Sequence, residues 1–153
     1  AFLADQDVIV VSYSTLAAEH VEEAAVGAKR KAGGPGPLFG LPFRRVVLDE
    51  AHTIRNRNTK TFKACLALDA PHRWCLTGTP VQNKADDAQA LFAFLKAQPV
   101  NEWAIWQRAV GRPIRDGAEE GLARLRVLMR SLSLRRTKSI LGESLPPKTV
   151  EIH

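Results

Sequence analysis

Three short apolar runs constrain this chain more than anything else in it. They are VIVV at 8–11, RVVLD at 45–49 and RWCLT at 73–77, and the two later runs are separated by a helix-length segment. Runs of this length without polar alternation are the pattern of strands buried on both faces. Strands that alternate with helices build a parallel sheet, so the expected class is α/β, with helices on both faces of the sheet. In such sheets chemistry gathers at the carboxyl ends of the strands.

The segments between the runs read as helices and turns. A helix is expected after Ser14 or Thr15, either of which can cap it, running through the alanine- and glutamate-rich stretch to about residue 32. GGPGPLFGLP at 33–42 is a loop. Asn58 or Thr59 can cap a helix that reaches Leu68 with Phe62, Cys65 and Leu66 on one face, and 86–96 is amphipathic. A stretch with two tryptophans, 101–113, is expected to end at Pro113. Residues 119–131 read as a helix with Leu122, Leu125, Leu128 and Met129 inward and Arg124, Arg126 and Arg130 outward. LPPKTVEIH at 145–153 is strand-like.

Hydrophobic residues at 45% and charged residues at 25% exclude a disordered or collagen-like chain. No run of 18 apolar residues is present, so no membrane partner is expected. The first residues lack a basic region and a cleavage site, so no secretory signal is expected there, and the absent initial Met suggests a piece of something longer. Cys65 and Cys75 have neither metal nor disulfide spacing; buried free thiols fit a reducing compartment. The net charge is uneven. Residues 108–148 hold ten basic and four acidic side chains and so carry the whole +6, while the rest balances. Such a basic third suggests a polyanion partner, the alternative being a solvated arginine-rich surface.

Two clusters carry chemistry. Asp49-Glu50-Ala51-His52 follows the second run directly, and adjacent carboxylates at the end of a buried strand are costly without a job or a partner. In a Walker B strand the first carboxylate holds Mg²⁺, usually through water, and the second positions and deprotonates an attacking water. The alternative is a polar strand end with a capping Asp. Leu76-Thr77-Gly78-Thr79-Pro80, with Gln82 and Asn83 after it, ends the third run; Gly and Pro favour a turn that presents two hydroxyls beside the carboxylates.

VVLDEAHTIRN, RWCLTGTPVQNKADD and SLSLRRTK together resemble the SNF2 family of DNA-dependent ATPases, a branch of the superfamily-2 helicase-like motors. DVIVVSYSTLA, FLKAQPVNEW, RAVGRPI and LPPKTVEIH extend the likeness over nearly the whole chain, closest to the helicase-like transcription factor and Rad-type branch that carries a RING insert. The resemblance implies an incomplete RecA-like P-loop NTPase lobe with a helical C-terminal extension: motifs Ib, II and III in 1–100, a basic extension closing the lobe in 101–147, and the start of a connection in 148–153. It implies ATP and Mg²⁺ as cofactors, with Asp49 as the metal ligand through water and Glu50 as the catalytic base. His52 would link the nucleotide site to motif III, and Thr77, Gly78, Thr79, Gln82 and Asn83 would couple ATP state to lobe closure. Ser12, Tyr13, Ser14 and Thr15 would meet the DNA backbone, helix capping being the alternative. Arg135 and Arg136 are the expected DNA contacts of the last motif; on an extended stretch they point to opposite sides, so at most one is expected to face DNA. Trp74, Trp103 and Trp106 are expected in cores rather than in base stacking. The implied partners are duplex DNA and chromatin proteins, and the implied location is the nucleus.

The departures matter as much. The 153 residues contain no GxxxxGK[ST] loop, and two cysteines cannot build a RING's zinc sites. The expectation is the C-terminal half of a first lobe, inactive alone, from a translocase acting in chromatin remodelling or DNA repair; the alternative is a non-catalytic DNA- or chromatin-binding relic. An RNA helicase of the DEAH class is a weaker reading, because those proteins carry Ser-Ala-Thr where this chain has LTGTP.

Overall fold

The computed structural model describes residues 2–20, 36–82 and 84–136. Its elements in chain order are helix α1 (Tyr13–Glu19), strand β1 (Arg45–Leu48), helix α2 (Lys60–Ala67), strand β2 (His72–Cys75) and helix α3 (Ala85–Phe94). Then come α4 (Trp103–Trp106), a π-helical turn Gln107–Gly111, α5 (Arg112–Arg115) and α6 (Glu119–Leu132). No described helix is long and apolar enough to cross a membrane.

β1 and β2 pair in parallel with Arg45 opposite His72 and Leu48 opposite Cys75, and α2 makes the crossover between them. The α/β class with a parallel sheet therefore stands. Thr59 caps α2 by accepting from the Phe62 amide at 3.2 Å, and Phe62, Ala64 and Cys65 go into the core while Leu66 stays outside.

Two expectations for the sheet are corrected. Residues 8–12 form no strand, and Val8 and Val10 are exposed. A strand needs a neighbour to complete its hydrogen-bond ladder; here a groove of about 1050 Å³ lies between this segment and β1. Cover on both faces is also not met among the described residues. Val46, Leu48 and Cys75 turn toward Leu16, Phe62 and Phe94, whereas Val47, Trp74 and Leu76 on the opposite face are about half exposed.

Two hydrophobic clusters meet on α3. Ala90, Leu91, Ala93 and Phe94 belong to the sheet core, and Ala88 and Phe92 to a second core with Val100, Trp106, Val110 and Leu125. The second core thus begins inside α3, ahead of residue 101. Pro113 does not end the helical stretch: the widened turn 107–111 precedes it, and α5 carries it at its start, where a missing N–H costs little. α6 packs closely on α5, since a Cβ on Gly121 would come 2.7 Å from the Ile114 amide nitrogen. On α6 Leu125 is buried, Leu128 and Met129 half-buried, and Leu122 exposed. Residues 21–35, Asn83, Thr137, Lys138 and the 145–153 run lie outside the described residues.

Candidate nucleotide and DNA site

Parallel pairing brings both chemical clusters to one edge of the sheet. β1 ends at Leu48 and β2 at Cys75, so Asp49-Glu50 and the turn 77–80 leave side by side. The backbone locks them there: Leu76 donates to the Leu48 carbonyl at 2.8 Å, and Ala51 donates to the Leu76 carbonyl at 2.9 Å.

Asp49 and Glu50 are both exposed, so they carry no burial cost. The cost is conformational instead. Glu50 lies in the left-handed region at φ 47°, ψ 49°, and such a residue other than glycine costs on the order of 1–3 kcal/mol. The Asp49 Oδ1 accepts the Glu50 amide at 3.0 Å, and the Glu50 carbonyl accepts the Thr53 hydroxyl at 2.9 Å, which holds the bend. His52 sits half-buried in the 3₁₀ turn that follows, with Nδ1 3.2 Å from Glu50 Oε2 but without hydrogen-bond alignment. Among the described residues its side chain makes no hydrogen bond to the 77–80 turn.

Within that turn the Thr77 hydroxyl accepts the Thr79 amide at 3.2 Å, and the Thr79 hydroxyl accepts from Gln82 Nε2 at 2.9 Å. Gly78 has no left-handed φ and open space where a Cβ would stand, so backbone sterics do not require glycine there. Gln82 Oε1 also accepts from Arg55. The loop after the carboxylates and the turn after β2 are thereby joined through side chains. Asp87 accepts the Gln82 and Lys84 amides, each at 3.3 Å, and fastens the turn to the start of α3. One residue earlier, Asp86 accepts from Trp106 Nε1 at 2.8 Å and Gln107 Nε2 at 3.1 Å and pairs with Arg115 at 3.4 Å. Arg55 and Asp86 were assigned no role from sequence, although both stand inside the quoted motifs; only their neighbours in space reveal what they do.

The hydroxyl cluster at 12–15 divides. Ser12 caps α1, accepting the Thr15 amide at 3.1 Å, as the capping alternative has it. Ser14 and Thr15 are exposed around it, both within 2.9 Å of the Ser12 hydroxyl. Tyr13 turns inward and donates to the Asp49 carbonyl at 2.7 Å, so its hydroxyl is spent beneath the carboxylates. Burial pushes the Tyr13 phenol well above its ordinary value. Burial likewise pushes both the Cys65 and the Cys75 thiols up to about 12; both cysteines are free.

Arg135 and Arg136 are both exposed and make no ion pair or hydrogen bond among the described residues, so the expected division between them is not seen. Arg124 does have partners, the Ala109 carbonyl at 3.0 Å and Glu120 at 2.9 Å. Of the tryptophans only Trp106 is fully buried; Trp74 is 55% and Trp103 42% exposed. Trp74 lies on the uncovered sheet face under the Arg45 guanidinium, and Trp103 opens α4 under Arg57.

The model of the SNF2-related domain matches residues 1–153. The chain belongs to this family. It is 41% identical over 139 residues to the helicase-like transcription factor of Oryctolagus cuniculus, covering 91% of this chain and 13% of that protein. It is 39% identical over 137 residues to the DNA repair protein RAD5A of Arabidopsis thaliana, covering 90% of this chain and 13% of that one. The solved SWI2/SNF2 ATPase core of Sulfolobus solfataricus in complex with double-stranded DNA superposes with a TM-score of 0.63 at 29% identity, over 82% of this chain and 24% of that one. The SNF2-type chain thus spans about an eighth of the length of these two curated relatives.

Proposed function

We propose that the protein carrying this chain is an ATP-driven motor on duplex DNA, acting in DNA repair or on chromatin in the nucleus, and that this chain supplies the water-activating half of its nucleotide site. The observation that carries the reading is Glu50, held in a strained conformation at the sheet edge, its carboxylate paired with no Lys or Arg among the described residues. Strain of this kind collects where a side chain must be aimed. The names of the relatives and the DNA in the Sulfolobus complex support the partner.

The donor set fits Mg²⁺. Asp49 is exposed and spends one carboxylate oxygen on the Glu50 amide, and a magnesium ion that keeps most of its waters needs only one or two carboxylates besides phosphate oxygens. Asp49 would hold the ion through water, and the charge supplied there would offset that on the transferred phosphoryl group. Glu50 accepts the proton of the attacking water, with the His52 ring close beside its carboxylate. Arg55 and Gln82 keep the 77–80 turn in register with this edge, which lets the state of one be felt by the other.

Glu50→Gln in the full-length protein tests the reading. The amide keeps the shape but cannot take the proton, so DNA-stimulated phosphate release should fall roughly 10²–10⁴-fold, while ATP still binds. Full turnover in that variant would remove Glu50 as the base, and a wild-type protein without any hydrolysis would favour the DNA-binding relic.

A further inference from the structure

On the far side of the Arg55–Gln82 contact lies a second cavity of about 780 Å³, lined by Arg55, Arg57, Asn58, Lys84, Asp86 and Trp103 among others. Neither Asp49 nor Glu50 reaches it. Arg57 lies over the Trp103 ring at 4.8 Å and near Phe62 at 5.9 Å, so aromatic rings hold its guanidinium. Its Nε is shut off from solvent with no hydrogen-bond partner, and Arg57 makes no ion pair or hydrogen bond among the described residues. Partial burial lowers the affinity of this guanidinium for its proton, against the opposing pull of Asp86.

The carboxylates at the rim do not satisfy it. Asp86 is taken by Trp106, Gln107 and Arg115, and Asp87 by the amides of Gln82 and Lys84. What remains open is the Nη side of a guanidinium backed by an indole, in a cavity that Arg55 and Lys84 line together with Asp86 and Asp87. A guanidinium edge presents parallel N–H groups that match two oxygens of one tetrahedral anion.

We propose that the Arg57–Trp103 pair forms a phosphate subsite for the DNA backbone, separate from the basic third and from the hydroxyls at 12–15. The proposal rests on the motor reading for its polymer; the donor geometry stands apart from it. A backbone phosphate suits the cavity better than a nucleotide's, because the Mg²⁺-binding carboxylate does not face it.

The test uses full-length protein and a sequence-neutral duplex titrated between 50 and 200 mM salt. Arg57→Gln should flatten the slope of log K against log salt by about 0.9, the signature of one phosphate lost, and weaken binding roughly tenfold at 0.1 M salt. Arg57→Lys, which keeps charge but not the fork, should restore the slope with affinity between the two. Trp103→Ala should weaken binding in the same direction, and adding Arg57→Gln to it should cost less than it does alone, since both act through one supported group. An unchanged slope in Arg57→Gln, with DNA still stimulating hydrolysis, would overturn the subsite and leave the motor reading intact. A raised KM for ATP with an unchanged slope would give the site to the nucleotide and overturn the DNA assignment. A wild-type protein that bound no duplex would remove both.

Discussion

Around Trp106 the helical half of the chain encloses its core with α3, α5, α6 and the π turn, and ties the tryptophan's N–H to Asp86. Around Leu48 the sheet half encloses one face only: Val47, Trp74 and Leu76 look outward, β1 faces a groove on one side, and β2 has no strand on its other side among the described residues. The carboxylates stand in the half with open edges. The half without candidate catalytic residues is the better closed. A helix bundle completes its hydrogen bonds within each element, whereas a strand depends on a neighbour, so the same length of chain closes one kind of core and leaves the other in need of more sheet.

The widest break in this contrast is Trp106→Ala. It should empty the centre of the helical core and destabilise the chain by about 3–5 kcal/mol, plus the orphaned Asp86 bond, read as a fall in denaturant midpoint. A loss below 1 kcal/mol would mean that the second core is not a core. Gly121→Ala comes next: the added Cβ would strike the backbone of α5 at 2.7 Å, and overpacking of that kind costs about 1–3 kcal/mol. A crystal structure or melting curve showing no change would place α6 farther from α5.

The sheet half should declare itself in alkali, because it holds both thiols. Cys65 is buried and Cys75 half-buried, each with its pKa raised from 9.0 to about 12, so above pH 9 the unfolded chain releases protons that the folded chain keeps. Stability present below pH 9 is then lost as pH rises toward 12, by about 1 kcal/mol per thiol at pH 10. Cys65→Ala in combination with Cys75→Ala should flatten that loss; the same alkaline slope in the double variant would assign it elsewhere. The smallest effect should be a gain. Glu50→Asn relieves the left-handed strain, since asparagine tolerates that region, and should raise stability by about 0.5–1 kcal/mol while abolishing hydrolysis in the full-length protein. A loss of stability would show that Glu50 is not strained.

These contrasts also explain what the sequence could disclose. The runs at 45–49 and 73–77 became β1 and β2 in parallel, because three consecutive apolar residues in each, with a helix-length segment between the two runs, leave a chain few other choices. The run at 8–11 reads as well as either and is no strand, because pairing is a property of a neighbour and not of the run itself. Asp49, Glu50, Thr77 and Thr79 were legible as a set through order and spacing. Tyr13 was singled out but for the wrong side: nothing in SYST tells that its ring turns under Asp49. Arg57 and Trp103 are 46 positions apart in sequence and meet only because α3 carries the chain back past α2. Trp74 was expected inside on the strength of its size, and the uncovered sheet face puts it outside.

α3 has a thermodynamic consequence. Seven consecutive residues of it, Ala88–Phe94, are buried, some by one core and some by the other. A helix clothed from both sides is a party wall: removing either room strips apolar surface from a wall the other room still needs. Neither half can melt without charging the other for the exposure, so the two should unfold in one calorimetric transition, with the van't Hoff enthalpy equal to the measured one. The same wall begins at Asp86 and Asp87, where the turn after β2 is tied down. The hydrogen bonds of Asp86 and Asp87 therefore put that turn and the helical half on one rigid support.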